Sequence, residues 1–145
     1  MKYTLAFAFL ALISIAIASC NNETTSNNMS EMPAGVQKVV KDNFNANVAS
    51  ATTENNAIGS DEYEVILVDG TKVKFEGENW EEVKVPAGQS VPDYFVMEPI
   101  RNYVQQNQPG QTIVKIDRDD KGYEVEMSNG VELKFDNQGN FIKID

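Results

Sequence analysis

A thirteen-residue stretch occurs twice in this chain, and the duplication constrains the fold more than any other feature. Tyr63 to Phe75 reads YEVILVDGTKVKF and Tyr123 to Phe135 reads YEVEMSNGVELKF, sixty positions apart, with Tyr, Glu, Val, Gly, Lys and Phe at the same six places. Each copy is two runs of alternating apolar and polar residues, split by Asp69-Gly70 or Asn129-Gly130. Those dipeptides tolerate the positive φ angles of a type I′ turn, so each copy is expected to be a hairpin closed by a two-residue turn.

The flanking segments extend the duplication. Pro33 followed by Val36, Val39, Val40 and Phe44 predicts an amphipathic helix over about 33–45. A second helix is expected from Pro99 through Ile100, Tyr103 and Val104 until Gln108-Pro109-Gly110 stops it, with an extra helical turn upstream in Val91 to Met97. Strand candidates at 47–53 and 112–118 precede the two hairpins, and others at 79–85 and 140–144 follow them. The predicted fold is α+β: a tandem repeat of two α-β4 units, 33–87 and 88–145, forming antiparallel sheet with the helices packed on one face.

Alternation assigns the two faces of that sheet. Tyr63, Val65, Leu67, Val73 and Phe75 share one face, as do Tyr123, Val125, Met127, Leu133 and Phe135, and this face belongs under the helices. The opposite face carries Glu124, Glu126, Glu132 and Lys134 in the second half, and Glu64, Lys72 and Lys74 interrupted by Ile66 and Val68 in the first. If Ile142 and Ile144 point inward, Phe141 points outward, and aligning the halves puts Trp80 at the position of Phe141. An exposed group of Trp80, Phe141, Ile66 and Val68, rimmed by Lys72, Lys74 and Glu124, has the composition of a protein-binding surface. A bulge that turns Trp80 into the core is the competing arrangement.

The amino terminus reads as an export signal. Residues 1–19 hold Lys2 and then an apolar run from Leu5 to Ala18, too short for a bilayer span, ending in Ile17-Ala18-Ser19-Cys20. Small residues before a Cys at the close of such a segment resemble a bacterial lipobox, and the resemblance implies acylation of Cys20, the lone cysteine of the chain. Residues 20–32 are then the lipidated Cys20 and a flexible polar tether. Asn21 stands where enteric lipoproteins retained at the inner membrane carry Asp, which favours the outer membrane, facing either the periplasm or the cell surface.

Composition removes several kinds of chemistry. The chain has no His and a single Cys, which excludes Ser-His-Asp, Cys-His and His-ligated metal arrangements. Its net charge of −10 repels polyanions, so nucleic acid is not an expected partner. Asp117-Arg118-Asp119-Asp120-Lys121-Gly122 resembles the start of a calcium loop, but Lys121 and Ser128 stand where oxygen ligands belong, and a charged turn is the better reading. No catalytic residues, cofactor or metal site are expected.

The duplication, the helix-then-strands order and the run YEVEMSNGVELKFDNQGNFIKID resemble the PepSY-like family of exported bacterial proteins, similar in fold to the beta-lactamase inhibitory protein. The resemblance covers about residues 33–145. It implies tandem α-β4 units whose sheet binds another protein, and it carries no catalytic residues over. The expected function is a non-catalytic envelope lipoprotein that binds an envelope or extracellular protein, for example a peptidase or other hydrolase, through its open sheet face. The alternative is a periplasmic carrier of a small apolar ligand.

Overall fold

The computed structural model describes residues 22–145. The signal segment 1–19 and Cys20 lie outside the described residues. In chain order the elements are β1 (Asn22–Ser26), a 3-10 turn at Met29–Glu31, α1 (Ala34–Asn43), β2 (Val48–Asn55), β3 (Glu62–Leu67), β4 (Lys72–Glu76) and β5 (Asn79–Lys84). A 3-10 turn at Asp93–Phe95 then leads to α2 (Glu98–Asn107), β6 (Ile113–Asp119), β7 (Gly122–Met127), β8 (Glu132–Phe135) and β9 (Phe141–Ile144). All nine strands form one antiparallel sheet in sequence order, each paired to the next.

The helices form where the apolar spacing places them, and local contacts fix their ends. Val36 and Val40 of α1 and Ile100 and Val104 of α2 are buried. No side chain of its own N-cap serves α1; instead the Gly35 N–H donates to Glu78 Oε1 at 2.8 Å, placing a carboxylate from the β4–β5 turn at the positive end of the helix. Pro99 falls in the first turn of α2, where its missing N–H costs nothing. Arg101 then donates to the carbonyls of Val96 at 2.7 Å and Asp93 at 3.1 Å, tying the helix to the preceding turn.

One hydrophobic cluster joins the helices to the sheet. It contains Val36, Val40, Ile100 and Val104 together with Val65, Leu67, Val73, Phe75 and Val83, and Ile116, Val125, Met127, Leu133 and Phe135. Every strand residue in that set was expected on the inner face or lies in register with one that was. Strands β5 and β6 carry the sheet across the middle through Glu82↔Asp117, Val83↔Ile116 and Lys84↔Lys115. The sheet is therefore continuous from residue 22 to residue 144.

Three sequence expectations are corrected. The tether is shorter than 20–32: Asn22–Ser26 pairs with β2, and Met32 is buried in the cluster. The strand was missed because NETTS has no apolar residue to alternate; backbone pairing alone adds it to the edge. The hairpin turns are also not type I′, since no residue other than glycine has positive φ among the described residues. Leu67 N–H donates to Thr71 O at 2.8 Å and Gly70, at φ 91°, closes a three-residue loop; Met127, Gly130 and Val131 repeat the pattern. The third correction concerns the last strand of each half and decides where the candidate site lies.

Candidate functional site

Strand β5 begins with a two-residue turn, Gly77-Glu78, which sets Glu76 opposite Asn79 and Phe75 opposite Trp80. Facing residues in antiparallel strands lie on the same side of the sheet, so Trp80 joins Phe75 on the inner face. The ladder then slips by one residue, Glu81 bulges, and Lys74 pairs with Glu82. Trp80 is partly buried against the cluster, edge-on to Phe95 at 5.4 Å, with the Arg118 guanidinium 4.5 Å from its ring centroid. Of the two arrangements open to Trp80, the bulge that turns it inward is the one the structure adopts.

Phe141 follows the same rule. It pairs with Phe135, lies at the inner edge stacked 4.3 Å from Tyr103 of α2, and the ladder shifts at Phe135 as it does at Phe75. The expected outward position of Phe141 and inward position of Ile142 are thus reversed: Ile142 is the bulged residue and is 57% exposed on the outer side. The uncovered face therefore lacks both aromatic residues that sequence alternation gave it. Val68 leaves it as well, sitting in the β3–β4 loop at 65% exposure. Ile66 stays, facing Ser50 and Lys72.

What the face does carry is a ladder of opposite charges crossing the strands. Lys74 meets Glu64 at 3.8 Å, Lys72 meets Glu82 at 2.7 Å, and Lys115 reaches Glu82 at 3.6 Å and Asp117 at 2.7 Å. Lys134 then meets Glu124 at 3.1 Å and Asp145 at 2.7 Å, and Lys143 also pairs with Asp145. At the seam between β5 and β6, Glu82 and Asp117 face each other directly. Two carboxylates so placed repel unless cations separate them, and Lys72 and Lys115 fill that role. Burial opposes ionisation of Glu82, but the ion pair with Lys72 and the charge of Lys115 hold its carboxyl below the usual value. Burial prevails at Asp117 and pushes its carboxyl up, with Glu82 adding to the effect against Lys115.

Two grooves open on this face at equivalent positions of the two halves. The groove of about 420 Å³ in the second half is lined by Tyr123, Glu124, Lys134, Phe135 and Ile142, with Lys115, Asp117, Asp119 and Lys121 around it. The groove of about 200 Å³ in the first half is lined by Tyr63, Glu64, Lys74, Phe75 and Glu81, with Glu23, Glu54 and Glu62 around it. In each, the bulged residue of the last strand forms one wall. Acidic residues dominate the first groove, whereas the second balances Lys115, Lys121 and Lys134 against Asp117, Asp119 and Glu124. Burial, then the charges of Glu76 and Glu62, push the Glu81 carboxyl above its usual value.

Of the residues chosen from sequence, the structure keeps Ile66, Lys72, Lys74 and Glu124 on the uncovered face and removes Trp80, Phe141 and Val68 from it. Glu81, Glu82, Lys115, Asp117 and Ile142 were missed, and Lys134 was placed on the face without being singled out. The two-residue turn at Gly77-Glu78 was the available signal, because a turn of that length makes Phe75 and Trp80 cross-strand partners by counting alone. The segment resembling a calcium loop is a hairpin turn, with Asp119 Oδ1 accepting from the N–H groups of Lys121 at 2.8 Å and Gly122 at 3.1 Å. Among the described residues no group of three His, Cys, Asp or Glu side chains is placed to hold a metal ion, and no helix is long and apolar enough to cross a membrane.

Comparison with known proteins gives this geometry a context. Residues 61–143 match the model of a family described as beta-lactamase-inhibitor-like, PepSY-like. A crystal structure of a periplasmic protein of unknown function from Bacteroides vulgatus superposes with a TM-score of 0.79 at 29% identity, over 86% of this chain and 99% of that one. A periplasmic protein of Bacteroides thetaiotaomicron described as calcium-regulated is 39% identical, with a TM-score of 0.77 over 85% of this chain and 96% of that one. A second Bacteroides vulgatus periplasmic protein, from the DUF2874 family, is 34% identical, with a TM-score of 0.78 over 87% of this chain and 98% of that one. The search of curated proteins returned no match.

Proposed function

The chain belongs to the PepSY-like, beta-lactamase-inhibitor-like family, and we propose that it is a non-catalytic binding protein of the periplasm, held to the outer membrane by acylation of Cys20, that captures another protein on its uncovered sheet face. The observation that carries this reading is the pair of grooves at equivalent positions on one face, with no helix over them. Each half acts as one copy of a duplicated α-β4 unit and contributes one groove. The grooves differ in charge, so the partner presents basic side chains to Glu64 and Glu81 and an apolar side chain to Ile142. The periplasmic location of the solved relatives supports the compartment.

An apolar-ligand carrier needs room between the helices and the sheet. The centre of that layer is occupied by Phe75, Phe95, Phe135, Ile100 and Met127, all fully buried, and the cleft of about 470 Å³ at its edge between α1 and β2 opens to solvent past Gln37, Lys41, Asn45 and Asn47, so the packing favours the binding-face reading over the carrier. The calcium regulation named for the Bacteroides thetaiotaomicron protein forms no part of this reading, because Asp119 commits its Oδ1 to the backbone of its own turn. The resemblance implies a protein partner without naming its class, and a peptidase or other hydrolase is the partner this reading puts forward.

The test is a capture experiment from the native envelope with the full chain and two variants. Glu64→Lys/Glu81→Lys reverses the charge of the first groove, and Ile142→Asp places a charge at the exposed wall of the second. A protein bound in stoichiometric amount by the wild type and reduced at least tenfold by either variant, with the far-UV spectrum unchanged, supports the face as the binding surface. Equal capture by all three chains rejects it.

A further inference from the structure

We infer that the end of the sheet made by the start of β1 and the β2–β3 loop lies directly on the membrane, with Ile58 seated among lipid headgroups. This rests on the proposed acylation of Cys20. Only Asn21 separates Cys20 from the first residue of β1, and two residues of extended chain span at most about 7 Å. The sheet has consumed most of the segment that would otherwise have served as a spacer. An acylated Cys20 therefore holds the Asn22 end of β1 at the headgroup level.

Asn22 is paired with Asn55, so the end of β2 arrives at that same level and residues 56–61 run on past it. Ile58, at the tip of this loop, is 95% exposed, the highest value of any large apolar residue described. The base of the loop is closed rather than slack: the Asn56 N–H donates to Asp61 Oδ1 at 3.2 Å, its side-chain amide donates to Ser60 O at 2.9 Å, and the Gly77 N–H donates to Asp61 O at 2.8 Å. A single exposed apolar residue is ordinary on its own. Here it stands on a pinned loop beside the point where the chain must meet the bilayer. Glu54, Asp61 and Glu62 flank the loop, so it fits neutral, zwitterionic lipid and not an anionic surface. With this end down the first groove, lined in part by Glu23, Glu54 and Glu62, opens beside the headgroups, and the second groove lies farther across the sheet, on β6 to β9.

The experiment uses the acylated full chain in phosphatidylcholine–phosphatidylethanolamine vesicles, with an environment-sensitive fluorophore on Ile58→Cys or on Val68→Cys. Cys20 is blocked by its acyl thioether, so each variant has one free thiol. Val68 lies at the opposite end of β3 and serves as the reference. The expected result is a blue-shifted emission and at least threefold weaker quenching by aqueous iodide at position 58 than at position 68. Equal quenching at the two positions in a chain whose mass includes the acyl groups overturns the seating while leaving the anchor intact. A purified mass without acyl groups overturns the anchor and the seating together. Protection at position 58 that disappears when the protein is diluted tenfold into lipid means that a second copy covers the loop, which also overturns the inference.

Discussion

Glu82 shows how a single residue can be held in a state its position does not favour by itself. Its side chain is 15% exposed, faces Asp117 across the β5–β6 seam, and stays ionised because Lys72 and Lys115 close on it from two sides. The folded state holds its carboxyl below the usual value, so in the carboxylate range the unfolded chain binds more protons there than the folded one. The stability Glu82 contributes is therefore present at neutral pH and lost as pH falls through its folded value. Asp117 has the opposite sign: its raised carboxyl binds a proton more readily in the folded state, which offsets part of that loss. Glu82→Gln should cost about 1 kcal/mol at pH 7 and flatten the fall in unfolding free energy between about pH 5 and 3. Asp117→Asn should steepen the same fall. Urea titrations across that range check both, and a Glu82→Gln chain with the wild-type acid slope would show that the seam carboxylate contributes nothing. None of this was legible in the sequence, because opposition of two strands from different halves of the chain sets it, and no local pattern specifies which residues of β5 face which of β6.

At the scale of elements, most of the fold was legible where apolar periodicity is strong. Both helices, the strands from β2 onward and the inner-face residues follow from spacing, since a face that must be buried fixes its own register. The failures occur where side chains do not set the geometry. Strand β1 has no apolar residue, and the turn loops at Asp69-Gly70 and Asn129-Gly130 admit more than one closure. The outward placement of Trp80 and Phe141 came from carrying strict alternation through a bulge in each last strand. The β6–β7 hairpin contains a related constraint that spacing does not reveal. Gly122, at φ 144°, passes so close to β8 that an added Cβ would sit 2.1 Å from the Phe135 carbonyl oxygen and 2.9 Å from the Asp136 carbonyl carbon. These are backbone atoms, which cannot rotate away as a side chain would. Gly122→Ala should therefore cost about 3 kcal/mol, through strained φ and displacement of the β8 backbone. The checks are chemical denaturation and amide exchange, with protection lost first around residues 122–123 and 135–136. A cost below about 0.5 kcal/mol would mean the hairpin can move off β8 freely.

At the scale of the whole molecule, the duplicated sequence pattern has not produced two independent cores. The sheet passes from β5 to β6 without interruption, and one apolar cluster takes in side chains from both helices and both hairpins. The two halves share that cluster and that sheet, so they should unfold together. Trp80, the only tryptophan, is well placed to report this. It belongs to β5, yet it contacts Phe95 ahead of α2, Arg118 in β6 and Tyr123 in β7, so its emission follows the contact between the halves. Far-UV circular dichroism follows all the strands and helices. In urea the two signals should give one coincident transition with a single midpoint. If tryptophan emission changes at a lower denaturant concentration than ellipticity, the halves separate before they unfold, and each groove belongs to a unit that can move against the other. Coincidence would instead mean that the spacing between the acidic groove and the Ile142 groove is fixed by the continuous sheet, so that a partner touching both meets a rigid template and loses affinity when either groove is altered.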